Sequence, residues 1–140
     1  MVRRHTPSLS FEVFPPNPAV GNDKIFQALR EMQDLAPHFI SVTASNNKFD
    51  IEETTVRLTE FIANDLKIPT IAHLPAVYLT KDMVSNILQS LDRVGVHQIL
   101  ALRGDIFPDV APKDDFTYAT DLIEYIKTEA PHFDIIGACY

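Results

Sequence analysis

Five short apolar runs recur along the chain, with their starts about 30 residues apart. The branched and aromatic side chains in these runs predict β-strands. Because nearly every position within a run is apolar, rather than every second one, the strands favour a parallel sheet. The predicted strands are Leu9–Phe14, Phe39–Thr43, Thr70–Leu74, Gln98–Leu102 and Asp134–Cys139.

The segments between these runs carry apolar residues at helical spacing. The pattern is clearest after Thr80, a residue suited to the N-cap of a helix that ends before Gly95. Similar patterns predict a first helix capped by Asn22 or Asp23, a second over about 52–65, and a last over about 116–128. The apolar positions of these helices are Ile25, Leu29, Met32, Val56, Leu58, Phe61, Ile62, Met83, Val84, Ile87, Leu88, Leu91, Val94, Leu122, Ile123 and Ile126.

The alternation of strands and helices predicts a parallel sheet with right-handed crossovers, either an open doubly wound sheet or a (β/α)8 TIM barrel. The first strand is followed by the proline-rich stretch 15–18, and the whole chain has 4 glycines, so no glycine-rich phosphate loop is present. This favours the barrel. A complete barrel needs roughly 250 residues, so we expect residues 1–140 to supply only the first four βα units and the fifth strand, as the N-terminal half of a longer domain.

Composition and charge narrow the classes of function. Hydrophobic residues make up 46% of the chain, which is typical of a soluble globular protein. The net charge of −7 argues against nucleic-acid and membrane-surface partners, because both require a basic face. Cys139 is the single cysteine, so no internal disulfide is expected, and no run resembles a membrane span or a signal peptide. We therefore expect a soluble, cytoplasmic protein.

Polar residues interrupt or end the predicted strands. Glu12 lies inside an apolar strand, where it is either an edge residue facing water or an inward carboxyl whose desolvation raises its pKa and suits it to general-acid catalysis. Thr43 closes the second strand. His73 nearly closes the third, as a structural residue or a catalytic one. The carboxyl ends of barrel strands are where catalytic groups lie.

The fourth strand ends in Arg103, Gly104 and Asp105, and the fifth ends at Tyr140. A cation and an anion two residues apart can face the same side and suit a polar ligand with phosphates, while the glycine between them lets a ligand approach the backbone; the simpler interpretation is an ion pair. We expect no metal site, because the other histidines show no ligand spacing and are interpreted as surface or packing residues. Those histidines are His5, His38, His97 and His132.

The chain resembles the N-terminal half of the methylenetetrahydrofolate reductase family over essentially all of its 140 residues. The two most specific motifs are Ser10-Phe11-Glu12-Val13-Phe14-Pro15-Pro16 and Ile99-Leu100-Ala101-Leu102-Arg103-Gly104-Asp105. Support also comes from Phe39-Ile40-Ser41-Val42-Thr43, Ala72-His73-Leu74, Tyr118-Ala119-Thr120-Asp121-Leu122 and Ile136-Gly137-Ala138-Cys139-Tyr140.

The resemblance implies non-covalent FAD, reduced by NADH or NADPH, and 5,10-methylenetetrahydrofolate as the substrate, which becomes 5-methyltetrahydrofolate in one-carbon metabolism and methionine synthesis. It implies that Glu12 is the general acid for opening of the five-membered ring. It implies that Asp105 hydrogen-bonds the pterin and stabilises developing positive charge. The whole protein is expected to be a homo-oligomer. The implied flavin contacts are Thr43, His73, Arg103, Gly104, Asp105, Tyr118, Ala119, Ala138 and Tyr140.

Two loops of the predicted active rim depart from the family pattern. Directly after Thr43 the family has an aromatic residue and a glycine, followed by a basic, threonine-rich stretch, whereas this chain has Ala44-Ser45-Asn46-Asn47-Lys48-Phe49-Asp50. Pro75 and Ala76 replace a threonine and a cysteine of the family. Two alternatives therefore stay open. One is a truncated or divergent barrel that binds folate or flavin without this activity, and the other is a half-barrel that acts through association with a partner.

Overall fold

The computed structural model describes residues 6–44 and 50–138. Five parallel strands form one sheet in which each strand pairs with the next strand in sequence. All five predicted strands are confirmed, although Cys139, the predicted end of the last one, lies outside the described residues. The strands are β1 (Ser10–Val13), β2 (Phe39–Val42), β3 (Thr70–Pro75), β4 (Gln98–Leu102) and β5 (Asp134–Gly137).

The order of the strands distinguishes the two predicted architectures. It runs β1-β2-β3-β4-β5 without a reversal. A doubly wound sheet reverses its strand order at a switch point, whereas a (β/α)8 barrel adds its strands in sequence order. The fold is therefore α/β and corresponds to the first four βα units and the fifth strand of a barrel of this type, as the sequence predicts.

Helices connect the strands at the predicted places. None of the helices in the described ranges combines the length and the apolar composition that a membrane span requires. Helix α2 covers 52–65 and has wider, π-type turns at both ends of its central α-helical turn. The remaining helices are α1 (Asp23–Gln33), α3 (Lys81–Val94) and α4 (Ala119–Glu129).

The ends of α3 follow the sequence signals. The Thr80 side chain accepts a hydrogen bond from the Met83 amide at 3.2 Å, which is the predicted N-cap. Gly95 adopts a left-handed conformation with φ of 76°, and the next amide, of Val96, donates to the Leu91 carbonyl at 3.0 Å. At α1, by contrast, Asn22 occupies the N-cap position but its side chain makes no capping hydrogen bond.

Two expectations about the helices are wrong. Helix α4 begins at Ala119 rather than near Phe116, because the Asp121 carboxylate accepts a hydrogen bond from the Tyr118 amide at 2.8 Å and makes Tyr118 the cap. Phe116 is nevertheless buried before the helix starts. Met83 is 40% exposed, because it lies at the margin of the buried stripe of α3 rather than at its centre.

The core lies on one face of the sheet, beneath the helices. Alternate strand residues enter two buried clusters together with the apolar residues of the helices. Because successive side chains point to opposite faces, the intervening residues of each strand lie on the other face of the sheet. The core residues from the strands are Val13, Ile40, Val42, Ala72, Leu74, Ile99 and Ala101.

Candidate active site at the carboxyl ends of the strands

The predicted site residues gather at one end of the sheet. Because the strands are parallel, their carboxyl ends meet at the same edge, which we call the rim. Glu12 and His73 lie near the ends of β1 and β3. The residues that directly follow β2, β4 and β5 are Thr43, Arg103 and Ala138. The rim thus receives predicted residues from all five strands, although Tyr140 lies outside the described residues.

Glu12 and His73 extend from the face of the sheet opposite to the helices. Their strand neighbours Val13, Ala72 and Leu74 belong to the core, so the alternation along each strand turns Glu12 and His73 away from it. His73 Nε2 lies 3.9 Å from Glu12 Oε2. This distance is longer than a hydrogen bond, so the two side chains lie close together without sharing a proton.

The two side chains differ in exposure. Only 9% of the His73 side chain is exposed, compared with 55% of that of Glu12. Strand β3 has a neighbour on both sides, whereas β1 pairs only with β2 within the described ranges. Of the two interpretations of Glu12, the structure therefore supports the edge residue that faces water. The alternative, a desolvated inward carboxyl, is wrong, because the edge strand β1 leaves the carboxyl open to solvent.

Burial decides the charge state of His73. It lowers the pKa of His73 below the usual 6.5, and the nearby Glu12 carboxyl opposes this shift without reversing it. The imidazole is therefore uncharged at neutral pH. A neutral ring at the rim can donate from one nitrogen and accept at the other, which suits contact with a polar ligand.

The Thr43 hydroxyl, at the rim, has no hydrogen-bond partner among the described residues. The Thr43 backbone is fixed, because its amide donates to the Val13 carbonyl at 3.0 Å and its carbonyl accepts from the Thr55 hydroxyl at 3.0 Å. Its Oγ1 atom, however, is buried and makes no hydrogen bond with any residue in the described ranges. An unsatisfied buried hydroxyl costs roughly 1–3 kcal/mol. A ligand bound at the rim could supply the missing hydrogen bond.

The glycine of the Arg103-Gly104-Asp105 turn is required by packing. Gly104 has φ of +89°, and a Cβ atom there would lie 2.9 Å from Pro75 Cβ and 3.3 Å from Val77 Cγ2. We expected a glycine here so that a ligand could approach the backbone. The structure gives a different reason: Pro75 and Val77, at the end of β3 and just after it, occupy the space that a Cβ atom at position 104 would need. Nor do Arg103 and Asp105 form an ion pair with each other, and both are exposed. The Arg103 Nε donates instead to the Gly104 carbonyl at 3.3 Å.

Tyr78 holds the turn after β4 in place, a role that the sequence did not indicate. This buried tyrosine lies in the short helical turn Ala76–Tyr78 after β3. Its hydroxyl donates to the Asp105 carbonyl at 2.7 Å and accepts from the Phe107 amide at 3.0 Å. A tyrosine within an apolar run directly after a strand was the available signal, since a buried phenol hydroxyl needs a partner.

A cavity of about 310 Å³ adjoins this turn. Arg103 and Lys113 place two cationic side chains in its wall, and Asp114 adds an anionic one. Tyr118, which is 61% exposed, completes the wall just before Ala119 begins α4. Two cations beside an accessible aromatic ring suit a ligand that carries both phosphate groups and a flat ring system. The residues present would therefore suit part of a nucleotide-type cofactor such as FAD.

Comparison with known proteins identifies the family. The family model described as Methylenetetrahydrofolate reductase matches residues 1–140. The 5,10-methylenetetrahydrofolate reductase of Buchnera aphidicola subsp. Baizongia pistaciae is 34% identical over 134 residues, which cover 95% of this chain and 44% of that protein. The 5,10-methylenetetrahydrofolate reductase of Escherichia coli strain K12 is 29% identical over 133 residues, with 95% and 44% covered.

Methylenetetrahydrofolate reductase 1 of Schizosaccharomyces pombe is 30% identical over 123 residues, which cover 85% of this chain and 20% of that protein. The chain thus spans less than half the length of these curated relatives. Since the family model matches the chain along its whole length, the chain belongs to the methylenetetrahydrofolate reductase family.

Proposed function

We propose that residues 1–140 form the N-terminal half of the barrel of a 5,10-methylenetetrahydrofolate reductase, an enzyme that reduces its folate substrate to 5-methyltetrahydrofolate with NADH or NADPH. The proposal rests on family membership together with one observation. This observation is that Glu12, His73, Thr43 and the turn after β4 lie at the same rim. The whole protein would then act in one-carbon metabolism and methionine synthesis.

FAD is the cofactor that this proposal requires. When bound, it supplies hydride transfer between the nicotinamide nucleotide and the folate. In our proposal Arg103 compensates the charge of the diphosphate, and Tyr118 and Ala119 contact the cofactor from the start of α4. The unpartnered Thr43 hydroxyl and the neutral His73 ring contribute hydrogen bonds. Gly104, Asp105, Ala138 and Tyr140 complete the proposed set of contacts.

Glu12 is the proposed general acid. Opening of the five-membered folate ring leaves a nitrogen that needs a proton as its bond to carbon breaks. The accessible Glu12 carboxyl, 55% exposed at the rim, can deliver that proton to a substrate placed over the sheet. The uncharged His73 ring lies 3.9 Å away and forms no tight ion pair with the carboxyl, so the carboxyl is free to contact the substrate.

Asp105 is the proposed partner of the pterin. Its side chain is exposed, while its backbone carbonyl is bound by the Tyr78 hydroxyl at 2.7 Å. The backbone is therefore fixed and the carboxyl is left facing outward. A carboxylate in this position would hydrogen-bond the pterin and stabilise the positive charge that develops as the ring opens.

A spectroscopic experiment tests the proposal. The purified active protein that contains this chain should be yellow. NADH or NADPH should reduce the flavin and remove its visible absorbance, and 5,10-methylenetetrahydrofolate should reoxidise it and restore the absorbance. A colourless protein that binds folate would favour the divergent barrel instead. Flavin that is reduced but never reoxidised by the folate would overturn the proposed substrate.

A second candidate function is association of this half-barrel with a partner or a second half. It is favoured by the sheet edges, where Leu9 (41% exposed), Phe14 (68%) and Ile136 (40%) leave apolar surface uncovered. Sedimentation of the isolated chain tests it, since self-association without flavin binding would support this function. The cytoplasmic location, the homo-oligomeric state and the absence of nucleic-acid or membrane partners stay predictions.

A further inference from the structure

A second group of chemically active side chains lies at the opposite end of the sheet, where the strands begin. Asp92 is in the last turn of α3, His97 directly precedes β4, and His132 lies shortly before β5. One ligand atom from each lies within 4.8 Å of the others. The sequence-based expectation of no metal site overlooked this cluster, because its members come from three separate elements.

Hydrogen bonds already bring both histidines of the cluster to one carboxylate oxygen. His97 Nε2 lies 2.9 Å and His132 Nε2 lies 2.8 Å from the same oxygen, Asp92 Oδ1. Ligand atoms about 2.1 Å from one ion lie roughly 3.4 Å apart in the tetrahedral geometry that Zn²⁺ favours. Each histidine–carboxylate distance therefore needs to lengthen by only about half an ångström for the three atoms to bind one ion.

The cluster is also accessible. The exposed fractions of the side chains are 40% for Asp92, 45% for His97 and 53% for His132. An ion can reach the three ligand atoms from solvent, and water can fill the coordination positions that the protein leaves open. Neutral imidazole coordinates through the lone pair of Nε2 once its proton resides on Nδ1, so both rings can coordinate as neutral ligands.

The supporting structure holds the ligands in place. The Asp134 amide donates to the His97 carbonyl at 2.9 Å, which ties the two histidine-bearing segments together where β4 and β5 begin. The His97 and His132 rings meet edge to face with centroids 5.5 Å apart, and both contact the buried Phe133 ring, at 5.4 and 4.8 Å. Little ordering is therefore needed when an ion binds.

We propose that Asp92, His97 and His132 bind a divalent transition-metal ion of the Zn²⁺ type. Two imidazoles and one carboxylate suit Zn²⁺, Co²⁺, Ni²⁺ and Cu²⁺, whereas Mg²⁺ and Ca²⁺ prefer oxygen ligands alone. The site is structural, because it joins the end of α3 to the starts of β4 and β5 at the end of the sheet remote from the rim. In barrels that end contributes to stability rather than catalysis.

Isothermal titration of the untagged protein with ZnCl₂ at pH 7.5 tests the proposal. We expect one ion per chain with a dissociation constant in the micromolar range, and no competition from millimolar Mg²⁺. Each of Asp92→Asn, His97→Gln and His132→Gln should weaken binding at least about tenfold, because each removes one of three ligands. His38→Gln is the matched control, since this exposed ring accepts a hydrogen bond from the Leu9 amide, lies outside the cluster, and should leave zinc affinity unchanged.

Circular dichroism of each variant establishes that it is folded before titration. Electron paramagnetic resonance of the wild-type protein with one equivalent of Cu²⁺ adds a test that needs no variant, and hyperfine coupling to two imidazole nitrogens is expected. A folded wild-type protein that takes up no Zn²⁺ at 100 µM, or a folded His132→Gln variant with wild-type affinity, would overturn the proposal. Copper coupled to fewer than two nitrogens would overturn it as well.

Discussion

The rim consists of two regions that are built differently. Over β3 and β4, the segment after one strand and the turn after the other are bonded together. The Val77 amide donates to the Arg103 carbonyl at 3.0 Å, and the Tyr78 hydroxyl donates to the Asp105 carbonyl at 2.7 Å. Gly104 packs against Pro75 so closely that no side chain fits between them. This region is fixed before any ligand binds.

Over β1 and β2, the polar side chains of the rim are not held by hydrogen bonds to the described residues. Glu12 is 55% exposed, and the Thr43 hydroxyl is buried without a hydrogen-bond partner in the part of the chain that the structure describes. This difference suggests that the two regions have different roles. In the proposed function, the β3–β4 region would set the shape of the site and orient Asp105, while the β1–β2 region would keep the Glu12 carboxyl and the Thr43 hydroxyl available for a ligand.

The largest effect is expected at the turn after β4. Gly104→Val should lower the free energy of unfolding by roughly 3–5 kcal/mol, because it combines a strained positive φ with a clash against Pro75. Gly21→Val is the matched control: Gly21 has a similar φ of +80° but nothing within 4 Å of its Cβ position. Urea unfolding should show a cost of only roughly 1–2 kcal/mol for Gly21→Val. Equal costs at the two glycines would mean that the Pro75 contact is unimportant.

Removal of the Tyr78 hydroxyl should loosen the same region less severely. Tyr78→Phe leaves the Asp105 carbonyl and the Phe107 amide without their partner, and should cost roughly 1–3 kcal/mol of stability. It should also weaken folate binding, since the Asp105 backbone is no longer held. Tyr125→Phe, which loses an exposed hydrogen bond of 3.3 Å to the Lys81 carbonyl, is the control and should change neither property. Urea unfolding and folate titration measure the two effects.

Arg103→Ala should separate cofactor binding from folding. Loss of the guanidinium should weaken FAD retention about tenfold, roughly 1.4 kcal/mol, and should affect folate affinity less. Unfolding should be nearly unchanged, since Arg103 is exposed. The exposed Arg93 on α3 provides the control variant Arg93→Ala. Unaltered flavin occupancy in Arg103→Ala would make the turn after β4 purely structural.

The smallest effect is a pH dependence due to His73. Burial lowers its pKa in the folded protein, so below about pH 6.5 the unfolded chain takes up a proton that the folded protein does not. Above that pH, His73 should therefore add no pH dependence to the free energy of unfolding. As the pH falls below it, protonation of His73 in the unfolded chain should lower that free energy. Unfolding at pH 7.5 and 5.5 should show a smaller decline in His73→Gln than in the wild type. An equal decline in both proteins would exclude the histidine as its source.

The sequence predicted the fold well because the fold depends on local patterns. Apolar runs at regular intervals identified all five strands, and helical spacing identified the four connecting helices. The start of α4 shows where local reasoning was insufficient. It depends on two hydrogen bonds to the Asp121 carboxylate, from the Thr117 and Tyr118 amides, which hydrophobic periodicity does not reveal.

The site was predictable in its location but not in its contacts. Strand ends in a parallel sheet meet at one edge, so the rim followed from the strands alone. The reason for Gly104, the role of Tyr78 and the exposure of Glu12 all depend on residues far away in sequence or on which strand lies at the sheet edge. The cluster of Asp92, His97 and His132 escaped prediction for the same reason, since three elements contribute to it.

The proposed roles of Glu12 and Asp105 can be separated by conservative substitutions. Asp105→Asn removes a stabilising charge and not the proton donor, so it should slow folate reduction less than Glu12→Gln and should alter folate binding as well. Glu60→Gln, at an exposed position of α2, is the control for loss of a carboxylate and should behave like the wild type.

Stopped-flow measurement of the two half-reactions in Glu12→Gln is the most direct test of the proposed function. The variant keeps the shape of the side chain but has no transferable proton, and reduction of the flavin by NADH or NADPH needs no proton from Glu12. We therefore predict normal FAD binding, normal flavin reduction, and reoxidation by 5,10-methylenetetrahydrofolate that is roughly 10²–10⁴-fold slower. Reoxidation at a rate close to that of the wild type would contradict the role of Glu12 as the general acid.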